Sequence, residues 1–118
     1  MVEGKAEAAL AIYDDVLTRR DGAYGIHANR GAALDVLGRH EEALGAFDRA
    51  IELKNEYPEA HHNRGVVLAK MKRYEDAITS HLRATELRPE FTEAFRGAAD
   101  AAARLERFDD SIQYATKV

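Results

Sequence analysis

Residues 27–34, which read HANRGAAL, return as HHNRGVVL at residues 61–68. Each residue of the second copy stands 34 positions after its counterpart in the first. The match continues downstream, because residues 49–53 (RAIEL) are followed at the same offset by residues 83–87 (RATEL). A fixed period of this length is typical of chains built from stacked copies of one supersecondary unit. The sequence therefore predicts a repeat architecture.

Each copy is predicted to contain two helices. The first covers roughly residues 24–37 and ends at Gly38, since glycine readily adopts the left-handed conformation that closes a helix. The second covers roughly residues 41–54, where apolar residues three and four apart form one stripe beside charged positions. Pro58 and Pro89 mark repeat boundaries, because the first turn of a helix tolerates a missing N–H.

These features resemble the tetratricopeptide repeat family, in arrays of bacterial type, with the unit pattern W-x2-L-G-x2-Y, A-x3-F and P. Small repeat residues predicted to pack the hairpins carry the match: Gly31, Gly65, Ala43, Ala77, Ala50 and Ala84. The resemblance implies an all-α fold, a right-handed α-solenoid of antiparallel helix hairpins. One domain is expected, with a half-repeat at 1–21, repeats at 24–57 and 58–91, and a degenerate repeat at 92–118.

Composition narrows the classes of function. The chain has no cysteine, which excludes disulfides and thiolate chemistry, and a net charge of −4, which disfavours nucleic acid as partner. No apolar run is long enough to insert in a membrane, and the amino terminus has no signal-peptide pattern. A cytoplasmic location is expected. Neither a phosphate loop nor a nucleophile elbow is present, so no catalysis, cofactor or metal is expected.

The resemblance places the first helix of each repeat on a concave groove that binds partner proteins. Asn29 and Asn63 occupy equivalent positions there, and an amide offers both a donor and an acceptor to the main chain of an extended peptide. The alternative is that these asparagines only bridge helices locally. Further groove residues are predicted, with an ordinary solvated face as their alternative: His62, Asp35, Lys70, Arg96, Asp100 and Arg104.

The groove departs from the carboxylate clamp of chaperone-binding relatives. Ala28, Ala32 and Gly97 stand where that clamp needs amide or basic side chains, so binding of an acidic chaperone terminus is not expected. His27, His61 and His81 occupy aromatic positions of the motif and are expected to be buried and neutral, without a metal.

The predicted function is a protein-interaction scaffold that binds a peptide or helix in the groove. Two alternatives stay open. The helices at both ends lack a covering neighbour, so the chain is either cut from a longer array or a module that forms homo-oligomers through its ends. It is otherwise the substrate-presenting arm of a larger enzyme, such as a glycosyltransferase.

Overall fold

A computed structural model describes residues 2–19 and 24–105, which form six α-helices and no strand. The helices divide between two compact units, Met1–Asn55 (unit 1) and Glu56–Val118 (unit 2). Unit 1 contains α1 (Val2–Arg19), α2 (Tyr24–Val36) and α3 (His40–Leu53). Unit 2 contains α4 (Pro58–Lys70), α5 (Tyr74–Leu87) and α6 (Thr92–Arg104). None of these helices is both long and apolar enough to cross a membrane.

The helices begin and end within one or two residues of the predicted positions. Pro58 is the first residue of α4, as its missing N–H allows. The predicted second helix of the third repeat falls on residues 106–118 and lies outside the described residues.

The two hairpin turns have the same backbone geometry. Gly38 has a φ of +75°, and Lys72, which stands 34 positions later, has a φ of +64°. After α2, the Gly38 N–H donates to the Asp35 carbonyl and the Arg39 N–H to the Leu34 carbonyl, both at 2.9 Å. Lys72 and Arg73 make the equivalent bonds to Ala69 and Leu68, at 3.0 and 2.9 Å. This six-residue closure satisfies two carbonyls at the helix end and turns the chain back on itself.

Each hairpin packs an aromatic ring against a glycine. In unit 1 the Phe47 side chain is fully buried, and a Cβ on Gly31 would lie 2.8 Å from its ring. In unit 2 a Cβ on Gly65 would lie 2.8 Å from the ring of His81, which is 1% exposed. The glycines therefore make room for a ring from the second helix. The predicted packing alanines at 43, 50, 77 and 84 are fully buried.

Two arginines at equivalent repeat positions reach polar partners. The Arg30 Nε donates to the Asp14 carboxylate at 2.6 Å, and Arg64 donates to the Ser80 hydroxyl at 2.7 Å. Four more arginines, two within α3 and α5 and two immediately before these helices, pair with acids three residues ahead: Arg39–Glu42, Arg49–Glu52, Arg73–Asp76 and Arg83–Glu86.

Candidate functional site

A cavity of unit 2 that is lined by residues of α4, α5 and α6 has a volume of about 430 Å³ (the unit-2 cavity). Its lining combines small or apolar surface, aromatic and imidazole rings, and a charged rim. The lining residues are His62, Val66, Ala69 and Lys70 of α4, Tyr74 and His81 of α5, and Glu93, Arg96, Gly97, Asp100, Ala101 and Arg104 of α6. Apolar surface surrounded by a few polar groups is the usual composition of a binding site.

A pair of imidazoles forms one wall of the unit-2 cavity. The Nδ1 atoms of His62 and His81 lie 3.0 Å apart, and the ring centroids lie 4.9 Å apart. His62 also contacts the Phe91 ring, with the two ring centroids 4.9 Å apart. Burial, reinforced by the charge that His62 would carry, lowers the pKa of His81 to about 4. Burial also lowers the pKa of His62, against the attraction of Glu93. One ring therefore donates a hydrogen bond to the other while both are neutral.

Two glycines from different helices lie against the His81 ring. A Cβ on Gly97 of α6 would lie 2.5 Å from the ring Nε2, and one on Gly65 of α4 would lie 2.8 Å from the same atom. A real Cβ does not approach so closely, because atoms in packed interiors repel steeply inside van der Waals contact. The two glycines thus allow both groove-side helices to close on one imidazole.

The charges on the rim are distributed along the helix axes. Since α4 and α5 form one antiparallel hairpin and α6 reverses direction again, α4 and α6 run parallel. Lys70 and Arg104 occupy their last turns, whereas Glu93 lies in the first turn of α6. Arg96 and Asp100 lie between them on the same helix. The rim is therefore cationic at the carboxyl ends of α4 and α6 and acidic at the amino end of α6.

The unit-2 cavity brings together five of the eight predicted groove residues: His62, Lys70, Arg96, Asp100 and Arg104. Asn63 is half-buried on α4 and is not among the lining residues. One helical position separates Asn63 from His62, which rotates its side chain away by about 100°.

The remaining two predicted groove residues belong to unit 1. Asn29 is exposed on α2 and lines a shallow cleft of about 320 Å³ between α1 and α2. Asp35, also on α2, lies 3.5 Å from the Nδ1 atom of His40. The binding role of the predicted residues stays a prediction.

Sequence reasoning missed several lining residues. His81 was assigned to packing alone, although it both packs and lines the cavity. Gly97 was read only as a missing basic side chain, yet its lack of a Cβ admits the His81 ring. The sequence contains a signal for this role. His81 replaces the phenylalanine of unit 1, and one glycine precedes it (Gly65) and another follows it (Gly97) on the neighbouring helices. Tyr74 at the start of α5 carried no comparable signal. Of the three histidines expected to be buried, His61 is only half-buried.

Models of known families match the centre of the chain. A model described as TPR repeat matches residues 37–72, and one described as Tetratricopeptide repeat matches residues 58–91. No curated protein sequence matches the chain.

Solved structures share the fold over nearly the whole chain. A crystal structure of MamA aligns with a TM-score of 0.93 at 20% identity, over 95% of this chain and 66% of that one. MamA from Desulfovibrio magneticus RS-1 aligns with a TM-score of 0.90 at 19% identity, over 97% and 64%. The chain thus spans slightly less than two thirds of these MamA chains.

A second group of similar structures contains a bound ligand. The first TPR of Spaghetti (RPAP3), bound to the HSP90 peptide SRMEEVD, aligns with a TM-score of 0.84 at 23% identity, over 87% of this chain and 82% of that one. The predicted all-α fold of tetratricopeptide type is confirmed by these likenesses and by the family models. The resemblance to the tetratricopeptide repeat family is confirmed at residues 37–91, which the two family models match between them.

Proposed function

We propose that this chain is a protein-interaction module that binds a peptide segment of a partner protein in the unit-2 cavity. The observation that carries the proposal is the convergence of five predicted groove residues on one open cavity with an apolar base. The activity proposed is binding without catalysis, and the cytoplasmic location stays a prediction. The peptide held by the similar RPAP3 structure supports a fold of this kind as a peptide receptor.

The ligand of that relative is not proposed for this chain. The family resemblance places clamp side chains at three positions where this chain has only small residues, Ala28, Ala32 and Gly97. Gly97 packs directly against His81, and any Cβ at this position would collide with the ring. A basic side chain at position 97 would therefore disturb the cavity instead of completing a clamp.

The proposal is tested by capturing partners from a lysate of the source cells with the parent and with Val66→Glu. Val66 is half-buried in the cavity lining, so a carboxylate there places an unpaired charge on the apolar surface. Ala8→Glu is the matched control, because Ala8 is exposed on α1 and lies outside the cavity. We expect Val66→Glu to lose a partner that the parent and the control both retain.

A partner kept equally by all three proteins would refute binding at this site. The double variant Asn29→Ala with Asn63→Ala, tested in parallel, measures whether the predicted asparagine pair takes part. Thermal unfolding of each variant must remain cooperative for the comparison to count.

Self-assembly is a second candidate function, favoured by the apolar side chains that unit 1 exposes. Val2 is 66% exposed and Ile12 62% exposed on α1, and Val36 is 45% exposed on α2. Exposed apolar surface is a common mark of an interface. Light scattering over a hundredfold range of concentration decides this case, since a constant monomer mass would exclude it.

A further inference from the structure

The exposed side of α6 carries a row of charges that alternate in sign. The row consists of Glu93, Arg96, Asp100 and Arg104, all of which are exposed and line the rim of the unit-2 cavity. They follow one another at three and four residues. Because one helical turn contains 3.6 residues, this spacing places them along one side of the helix over about three turns. We call this row the α6 charge stripe.

The α6 charge stripe is not inherited from the repeat. Two periods earlier, on α2, the equivalent positions hold only small or apolar residues: Gly25, Ala28, Ala32 and Val36. One period earlier, on α4, they hold charges only at the two ends of the row: Glu59, His62, Val66 and Lys70. Hairpin packing therefore does not require the alternation, which occurs on α6 and on neither of these two helices.

The charges of the stripe are not used within the described part of the chain. Four arginines in or immediately before α3 and α5 each pair with an acid three residues ahead. The spacing of Glu93 and Arg96 would permit the same, yet among the described residues no stripe residue makes an ion pair within 4 Å. The charge of Glu93 does act on His62, whose pKa it raises against the lowering effect of burial. The stripe therefore remains available to another molecule.

The order of the signs makes the stripe complementary to an antiparallel copy of itself. The midpoint between Glu93 and Arg104 falls between residues 98 and 99, and the midpoint between Arg96 and Asp100 falls at residue 98. A twofold axis at the level of Ala98 therefore places each acid opposite an arginine of the second copy. A parallel copy in register would place like charges opposite each other, which is unfavourable. The sign pattern thus selects both the partner and its direction.

The surface around the stripe suits the close approach of a second helix. Gly97 is half-buried between Arg96 and Asp100, and it has no side chain that would hold another helix away. Beside the stripe, Val66 and Ala69 of α4 contribute apolar surface to the cavity lining. The aliphatic stems of arginines from a second copy can cover such surface while their guanidinium groups reach carboxylates.

We propose that two copies of this chain associate through their α6 charge stripes, antiparallel and about a twofold axis at the level of Ala98. Glu93 then pairs with Arg104 of the second copy, and Arg96 pairs with Asp100 of the second copy. The interface covers the unit-2 cavity, so a peptide in the cavity and a second copy exclude each other. This inference goes beyond the proposed function and does not depend on it. It also uses a different surface from the exposed apolar side chains of unit 1.

The test measures self-association of the parent and of two charge-reversal variants by sedimentation equilibrium. In an isologous pair each contact occurs twice, so Arg104→Glu alone makes two contacts repulsive, and so does Glu93→Arg alone. Mixed in equal amounts, the two variants offer each other opposite charges at both contacts. Arg83→Glu is the matched control, since it makes the same change of charge on α5, outside the cavity lining. Thermal melting checks that every variant keeps the parental fold.

We expect the parent to form a weak dimer with a Kd of roughly 10–300 µM, because each exposed ion pair contributes little. Each single reversal should weaken self-association at least about tenfold, and Arg83→Glu should change it less than about twofold. The mixture, and the double variant Glu93→Arg with Arg104→Glu, should return to within about threefold of the parent.

Three results would each overturn the inference. The first is a parent that remains monomeric up to about 1 mM, well above the expected Kd. The second is a single reversal that self-associates as the parent does, since the interface would then lie elsewhere. The third is a mixture that associates no more tightly than its two components. The lysate capture described above remains an independent test of the proposed function.

Discussion

At the scale of single residues, the imidazole of His81 is buried and lies against glycines of two neighbouring helices. It stands where unit 1 has Phe47, and like that phenylalanine it packs against a glycine of the preceding helix. Unlike phenylalanine, it carries a proton-binding nitrogen, which lies 3.0 Å from the corresponding nitrogen of His62. Packing and titration are therefore coupled at this position.

We predict that the protein loses stability on mild acidification through this residue. The folded pKa of His81 is about 4, below the usual value of about 6.5, so the unfolded chain binds the proton more readily between these values. The stability contributed by neutral His81 is complete above about pH 6.5 and is lost as pH falls toward 4, by about 3 kcal/mol. Thermal melting at intervals from pH 7.5 to pH 4 measures this loss.

The control for the pH experiment is His81→Phe, which copies the residue of unit 1. Its melting temperature should fall less steeply over the same range, because only His62 of the pair remains to titrate. Parallel pH curves for the parent and His81→Phe would contradict the assignment to His81.

At the scale of elements, the two hairpin turns have the same backbone conformation, but one is formed by a glycine and the other by a lysine. Gly38 and Lys72 both have positive φ and close their helices with the same pair of hydrogen bonds. A side chain with a Cβ is strained in this region by about 1–2 kcal/mol, whereas glycine is not. The second turn is therefore maintained by its surroundings at a local cost.

We predict that Lys72→Gly stabilises the protein by about 1 kcal/mol. Relief of the strained φ outweighs the larger backbone entropy that glycine adds to the unfolded chain. Gly38→Lys is the reciprocal variant and should destabilise by a similar amount. Urea unfolding gives both values, provided that the slope with denaturant is unchanged. A lower unfolding midpoint for Lys72→Gly would show that the lysine side chain has a compensating role.

At the scale of the whole molecule, stability in a repeat fold is expected to come from contacts between neighbouring elements. The two compact units are consistent with that principle. Damage to one packing site should therefore open amides near it before amides elsewhere.

Gly97→Ala tests this expectation. The new Cβ collides with the His81 ring, so we expect a loss of about 1–3 kcal/mol and faster hydrogen exchange in α4, α5 and α6 than in α2 and α3. Gly45→Ala is the matched control, since a Cβ there would meet no atom within 4 Å apart from its chain neighbours and the backbone of its own helix, and alanine should stabilise α3 by about 1 kcal/mol. Equal acceleration of exchange in both units of Gly97→Ala would indicate one global unfolding reaction.

The sequence predicts the helices and the family well because period, proline and glycine act locally. Gly38 and Pro58 mark helix boundaries through backbone chemistry that depends little on distant contacts. The left-handed Lys72 escapes prediction from propensity, because lysine disfavours that conformation and only the repeat register points to it.

The candidate site is predicted less completely. The five charged or polar lining residues follow from the face of each groove helix. The role of His81 does not, since it depends on two glycines that meet its ring from different helices. Asn63 shows that a repeat position alone does not determine which residue lines the cavity, because the lining residue His62 is its immediate neighbour on the same helix.

The hydrogen bond between the two Nδ1 atoms determines whether the cavity wall offers a ligand a donor or an acceptor. While both rings are neutral, a single proton serves the bond, so the rings must be opposite tautomers, and either ring can be the donor. In one arrangement the Nε2 atom of His62 is an acceptor, and in the other it is a donor. The wall can thus exchange its hydrogen-bonding polarity by moving protons alone, with every heavy atom in place.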